Sequence, residues 1–133
     1  MRVDGIKFVG MPYQLIWEPR GLLFRFWGKV SAAEIQAANE AFYSDSRSDS
    51  ALYQLVDTLE VESVDWPRGK IDALAAYDKG ASRLIRNMKI AYVATNPAFG
   101  EMMERYSATS EKLETTWMVK GFESIEKARQ WID

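Results

Sequence analysis

At 133 residues, 47% hydrophobic and 27% charged, the chain has the make-up of one globular domain long enough to bury a core. Its net charge of −2 supplies no general pull toward nucleic acid or a membrane. Cysteine and histidine are both absent, which excludes disulfides, thiolate metal sites and the usual general base, and leaves carboxylates, Lys and Tyr for acid–base work.

Residues 1–12 read as a loose lead-in with glycines at Gly5 and Gly10. They carry no apolar run of secretory type, and no window of the chain approaches the roughly 18 apolar residues of a membrane span, so a cytoplasmic location is expected. Residues 13–17 form a predicted strand, Glu18-Pro19-Arg20-Gly21 a turn, and residues 22–27 a second strand, which together make an antiparallel hairpin. Leu22, Phe24 and Phe26 alternate with Leu23, Arg25 and Trp27, so both faces of that strand are to be covered, at least in part. Gly28-Lys29-Val30 closes the strand. Ser31-Ala32-Ala33-Glu34 is a capping box, with Ser at the N-cap and Glu three residues on, and it opens a helix to about Tyr43. Residues 44–51 are small and polar, a surface loop.

Tyr53-Gln54-Leu55-Val56-Asp57 is the predicted central strand, followed by an acidic loop over residues 58–65. Asp65 is expected to cap a second helix, with Trp66 and Pro67 in its first turn and Ile71, Leu74 and Ala75 on its apolar stripe. Residues 89–94 form the next strand. Asn96-Pro97 caps a third helix carrying Phe99, Met102, Met103 and Tyr106; residues 114–120 form a last strand, Gly121 a break, and Ser124 caps a final short helix. The order β-β-α-β-α-β-α-β-α describes a single α/β domain over residues 1–133. Its sheet is mixed, with an N-terminal antiparallel hairpin and otherwise parallel strands joined by right-handed crossovers.

This order, with Trp17-Glu18-Pro19, the hairpin running into Gly28-Lys29-Val30-Ser31-Ala32-Ala33-Glu34, Tyr53-Gln54-Leu55-Val56-Asp57 and Ala91-Tyr92-Val93-Ala94-Thr95, resembles the SpoIIAA-like family of the STAS domain group. The segment from Phe122 to Ile132 is similar to that family's C-terminal helix. The resemblance implies a STAS-type fold and a non-enzymatic regulatory or binding module that recognises a protein partner through residues 62–70. It also sets a contrast. Antagonists of the group carry Asp-Ser-Ser/Thr-Gly at the second helix start, where the serine is phosphorylated. Here Asp57 and Asp65 fall at comparable spacing, but Trp66-Pro67-Arg68-Gly69 follows, and Trp66 stands where the serine would be. The phosphorylation switch does not carry over; Ser63, two residues before Asp65, is the one displaced candidate acceptor.

Three groups of side chains carry candidate sites, each with a plainer alternative. Asp57, Glu60, Glu62 and Asp65 could share a proton or hold a hard cation, or else cap and solvate; no EF-hand or P-loop spacing and no Gly-rich phosphate loop occurs, and no cofactor or metal is implied. Lys79, Arg83, Arg86 and Lys89 would form one basic stripe if the second helix reached that far. They would then give a salt-sensitive peripheral contact with anionic membrane; otherwise they solubilise a helix end. Aromatics do not interleave with them, so no nucleic-acid partner is expected. Phe99, Met102, Met103 and Tyr106, with Trp66 nearby, either pack the core, line a pocket for a small apolar or lipid-like ligand, lie on a mobile helix that opens to a membrane, or form a homodimer patch. The second functional reading is therefore a carrier or sensor of such a ligand, held between the sheet and the helices bearing these residues.

Overall fold

The alternation read in the hairpin comes with a tight turn that leaves the two strands paired edge to edge. The structure, a computed structural model, describes the backbone of residues 5–7 and all of residues 11–133. β2 (Tyr13–Glu18) and β3 (Gly21–Ser31) are antiparallel, Leu15 opposite Phe24 and Trp17 opposite Leu22. A three-residue strand that the sequence left inside the lead-in, β1 (Gly5–Lys7), pairs antiparallel with the outer edge of β2. Three residues are too few for a periodicity; the strand exists because β2 offers unpaired main-chain groups. The rest of the lead-in reading, for residues 1–4 and 8–10, lies outside the described residues.

From β3 onward the sheet is parallel: β3 with β4 (Tyr53–Asp65), β4 with β5 (Lys89–Val93), β5 with β6 (Met118–Phe122). The six strands lie in sequence order across the sheet. Every crossover therefore steps the same way, and a common right hand puts its helix on the same face. α1 (Ala32–Ser44), α2 (Arg68–Ala81) and α3 (Pro97–Lys112) cover that face over a core of Leu22, Phe24, Phe42, Ile71 and Met88. α4 (Ile125–Ile132) stands alone on the other, where Ala128 meets Leu23, Leu55 and Val93. Arg129 clamps it to β2 by donating to both oxygens of Glu18 at 2.7 Å, while Tyr53 Oη donates to the same carboxylate. The Arg129 guanidinium holds Glu18 below the usual carboxylate range. This is the single α/β domain with a mixed sheet that the sequence implied.

Five expectations need correcting. The acidic loop is strand: residues 58–65 continue β4 and pair with the second half of β3, Trp27 opposite Glu60 and Ser31 opposite Asp65. Two register shifts accommodate this, one beside Gly28, whose φ of 65° a side chain would strain. Asp65 is thus the last residue of β4 and not a helix cap; α2 begins two residues past Trp66, with Pro67 at its N-cap and no side-chain cap bond. α2 also stops at Ala81, where Ser82 Oγ turns back to the Lys79 carbonyl at 2.7 Å, so it never reaches Arg83 or Arg86. Finally, β6 starts at Met118, because residues 114–117 are a connection anchored by Trp117, whose Nε1 donates to the Ile85 carbonyl at 2.5 Å. Gly121 is no break but a necessity inside β6: a Cβ there would lie 2.5 Å from the Tyr92 ring. The capping box of Ser31 and Glu34, the Asn96 cap and the Ser124 cap all form as read.

Candidate ligand-binding site

α1 and α2 both rest over the sheet, yet a groove runs between them. Ile35, Asn39 and Glu40 of α1 face Lys70, Leu74 and Tyr77 of α2 across about 270 Å³. Ile35, Asn39, Trp66 and Leu74 also border a second space beneath, about 60 Å³, between the helices and the sheet. Its floor is Phe24 and Phe26 of β3, Gln54 and Val56 of β4 and Ile90 of β5; its far wall is Phe99, Met103 and Tyr106 of α3. Period-two alternation puts these even-numbered floor residues on one face of the sheet, and 3.6-residue periodicity brings Phe99, Met103 and Tyr106 to one side of α3.

Four of the residues singled out in the sequence therefore come together. Trp66 is 5% exposed and its ring lies 6.4 Å from that of Phe99 and 6.5 Å from that of Tyr106. Buried to that degree, the indole is a wall of the cavity and is not offered to a docking partner. Met102 is half-buried and borders a separate recess with Arg68 and Arg105. Asp57, Ser63 and Asp65 do not join the site. Asp57 sits 3.6 Å from Arg25 on the neighbouring strand and accepts the Leu59 amide at 3.0 Å; Ser63 and Asp65 are exposed along the outer half of β4. The basic set is spread over three elements. Lys79 Nζ donates to the Glu114 carbonyl, Arg83 and Arg86 stand exposed in the loop after α2, and Lys89 Nζ donates to the Trp131 carbonyl beside its ring.

Polar groups missed in the sequence give the cavity its character. Asp78 of α2 is 4% exposed and has no cationic partner among the described residues. Its Oδ1 accepts from Tyr43 Oη at 2.7 Å and Asn39 Nδ2 at 3.2 Å, both on α1, and its Oδ2 accepts from Tyr106 Oη of α3 at 2.5 Å. One carboxyl thus ties three helices together. Burial pushes it above the ordinary carboxylate range, against the pull of the three donors. Burial and the neighbouring carboxyl likewise raise the Tyr106 and Tyr43 hydroxyls. Opposite, on the sheet, Gln54 is 5% exposed and its Nε2 has no hydrogen-bond partner among the described residues. A signal for Asp78 was present: it follows Ile71 by seven residues and Ala75 by three, on the stripe that faces the core. Its partners, 28 to 39 residues away in the chain, left no local trace. Among the described residues no group of acidic side chains is arranged to hold a metal ion, and no helix is long and apolar enough to cross a membrane.

No family model matches the chain, and no curated protein matches it in sequence. Among solved structures it is similar to an uncharacterised protein of the DUF3478 family with a SpoIIAA-like fold from Shewanella loihica PV-4. The identity is 15%, the match covers 91% of this chain and 92% of that one, and the TM-score is 0.49.

Proposed function

We propose that this domain is a non-enzymatic binding module that holds a small, largely apolar molecule between its sheet and the helices α1, α2 and α3, and that the α1–α2 groove is the way in. The observation that carries the reading is the stacked pair of spaces, about 60 Å³ behind about 270 Å³, sharing Ile35, Asn39, Trp66 and Leu74. The inner space exceeds the ~10–15 Å³ that one water needs but is smaller than the ~150 Å³ that takes a benzene. An occupant therefore buries one end and leaves its remainder in the groove. Aromatic and aliphatic walls with few polar groups are the usual make-up of small-molecule sites. Asp78, the one buried carboxyl among the described residues, has no nucleophile or base beside it among them, which favours binding over catalysis.

The test is occupancy. Native mass spectrometry of the protein as purified from cells should show an adduct that vanishes on denaturation. Ala38, 1% exposed and lining the inner space, is the place to fill it. Ala38→Leu should abolish the adduct. An apo mass throughout, together with Met103 methyl resonances unmoved by dissolved n-hexane, would overturn the reading.

A further inference from the structure

The binding reading leaves the ligand's chemistry open, and two polar groups in the cavity narrow it. Gln54 Nε2 is a buried donor without an acceptor, a state that costs free energy unless something in the cavity accepts from it. Asp78 is the complement. A carboxylate offers about four acceptor positions; Tyr43 and Asn39 occupy both of those on Oδ1, and Tyr106 occupies one on Oδ2. One acceptor position on Oδ2 remains. Both residues line the same space, which carries no Lys or Arg.

Resting on the binding reading above, we propose that the cavity recognises the amide end of an elongated apolar molecule: Gln54 Nε2 donates to its carbonyl oxygen, Asp78 Oδ2 accepts from its N–H, and the apolar remainder lies between α1 and α2. Charged and ester head groups satisfy only one side. A carboxylate would accept from Gln54 but sit beside Asp78 with no cation in the lining to offset either charge. An ammonium would donate to Asp78 and leave Gln54 unpaired. An ester would accept and have nothing to donate. A primary or secondary amide carries acceptor and donor on adjacent atoms and no charge, which suits a site walled by Phe24, Phe26 and Trp66.

The test uses a matched series of hexanamide, hexanoate, hexylammonium and methyl hexanoate, with n-hexane as the probe of the cavity alone. Each is titrated against the full chain by 1H–15N correlation NMR of side-chain amides. The Gln54 NH2 signals are assigned by their absence in Gln54→Leu, a substitution of similar shape that removes an unpaired amide and so should fold. Hexanamide should shift the Gln54 NH2 signals and bind about tenfold or more tighter than the other three head groups, the scale of one buried polar group left unpaired. In Gln54→Leu that preference should disappear while n-hexane still moves the Met103 methyl. If hexanoate or hexylammonium binds as tightly as the amide, or if the amide leaves Gln54 unmoved, the head-group assignment is wrong and the binding reading stands. If n-hexane and the amide both move nothing, the cavity holds water only and both readings fall.

Discussion

Removing a single oxygen tests the three-helix carboxyl. Tyr106→Phe keeps the ring that packs beside Trp66 and deletes only the hydroxyl that donates to Asp78 Oδ2 at 2.5 Å. Tyr106 is 3% exposed, so the deleted donor is shielded from bulk solvent. A hydrogen bond to a charged group contributes ~1.5–3 kcal/mol, and one between neutral groups ~1 kcal/mol. The loss should therefore depend on the charge of Asp78. Burial raises this carboxyl in the folded state, so the folded protein keeps a proton that the unfolded chain has released. Stability from this group is full at low pH and declines as pH rises from the ordinary carboxylate range through the folded value. Deleting a donor that favours the charged form raises Asp78 further and steepens the decline. Urea unfolding followed by tryptophan fluorescence should show a loss of ~2–3 kcal/mol at about pH 8, shrinking to ~1 kcal/mol at about pH 4.5. An equal loss at both, or one below ~0.5 kcal/mol at either, would refute the claim that Tyr106 supports a buried, charge-bearing carboxyl.

Trp66→Ala removes a buried indole and should cost ~3–5 kcal/mol in the same unfolding assay; a cost under ~1 kcal/mol would mean the ring is not a wall of the core. Gln54→Leu should move the other way, raising stability by ~1 kcal/mol because it deletes an unpaired buried amide, and destabilisation would show that Nε2 has a partner after all. Tyr13, Tyr43, Tyr53, Tyr92 and Tyr106 all titrate above the ordinary phenol value, Tyr53 at about 12. Their neutral forms are favoured in the fold, so stability is full below the ordinary phenol pKa and falls as pH rises beyond ~10. A thermal midpoint that stays level between about pH 9 and about pH 11 would contradict this.

The hairpin and the three helix caps were legible because each is written in a few neighbouring residues: Ser31 with Glu34, Asn96 before Pro97, Phe24 alternating with Arg25. The outer half of β4 was not. Leu59, Glu60, Glu62 and Ser63 are exposed, so no apolar alternation announces a strand, and what orders the segment is main-chain pairing with residues 27–31 of β3. Trp66 illustrates a subtler gap. It was read into the first turn of α2, although α2 begins at Arg68, and an indole there looks like a recognition residue until Phe99 and Tyr106 are seen against it. Asp78 lay deeper still. An acidic residue in a helix reads as solvated, and only two tyrosines arriving from other helices make it a buried joint.

Strands that lie side by side in the order of their synthesis have a consequence for how the protein is made. Each new strand meets an edge that its predecessor has just left free, and no strand has to be inserted between two already joined. The sheet can therefore grow from the N-terminal hairpin outward while the chain is still emerging, with one helical crossover to close at each parallel step. The helix joint obeys a different schedule. Asp78 is buried in earnest only when Tyr106 arrives on α3, so the receptive cavity is completed after most of the sheet that supports it.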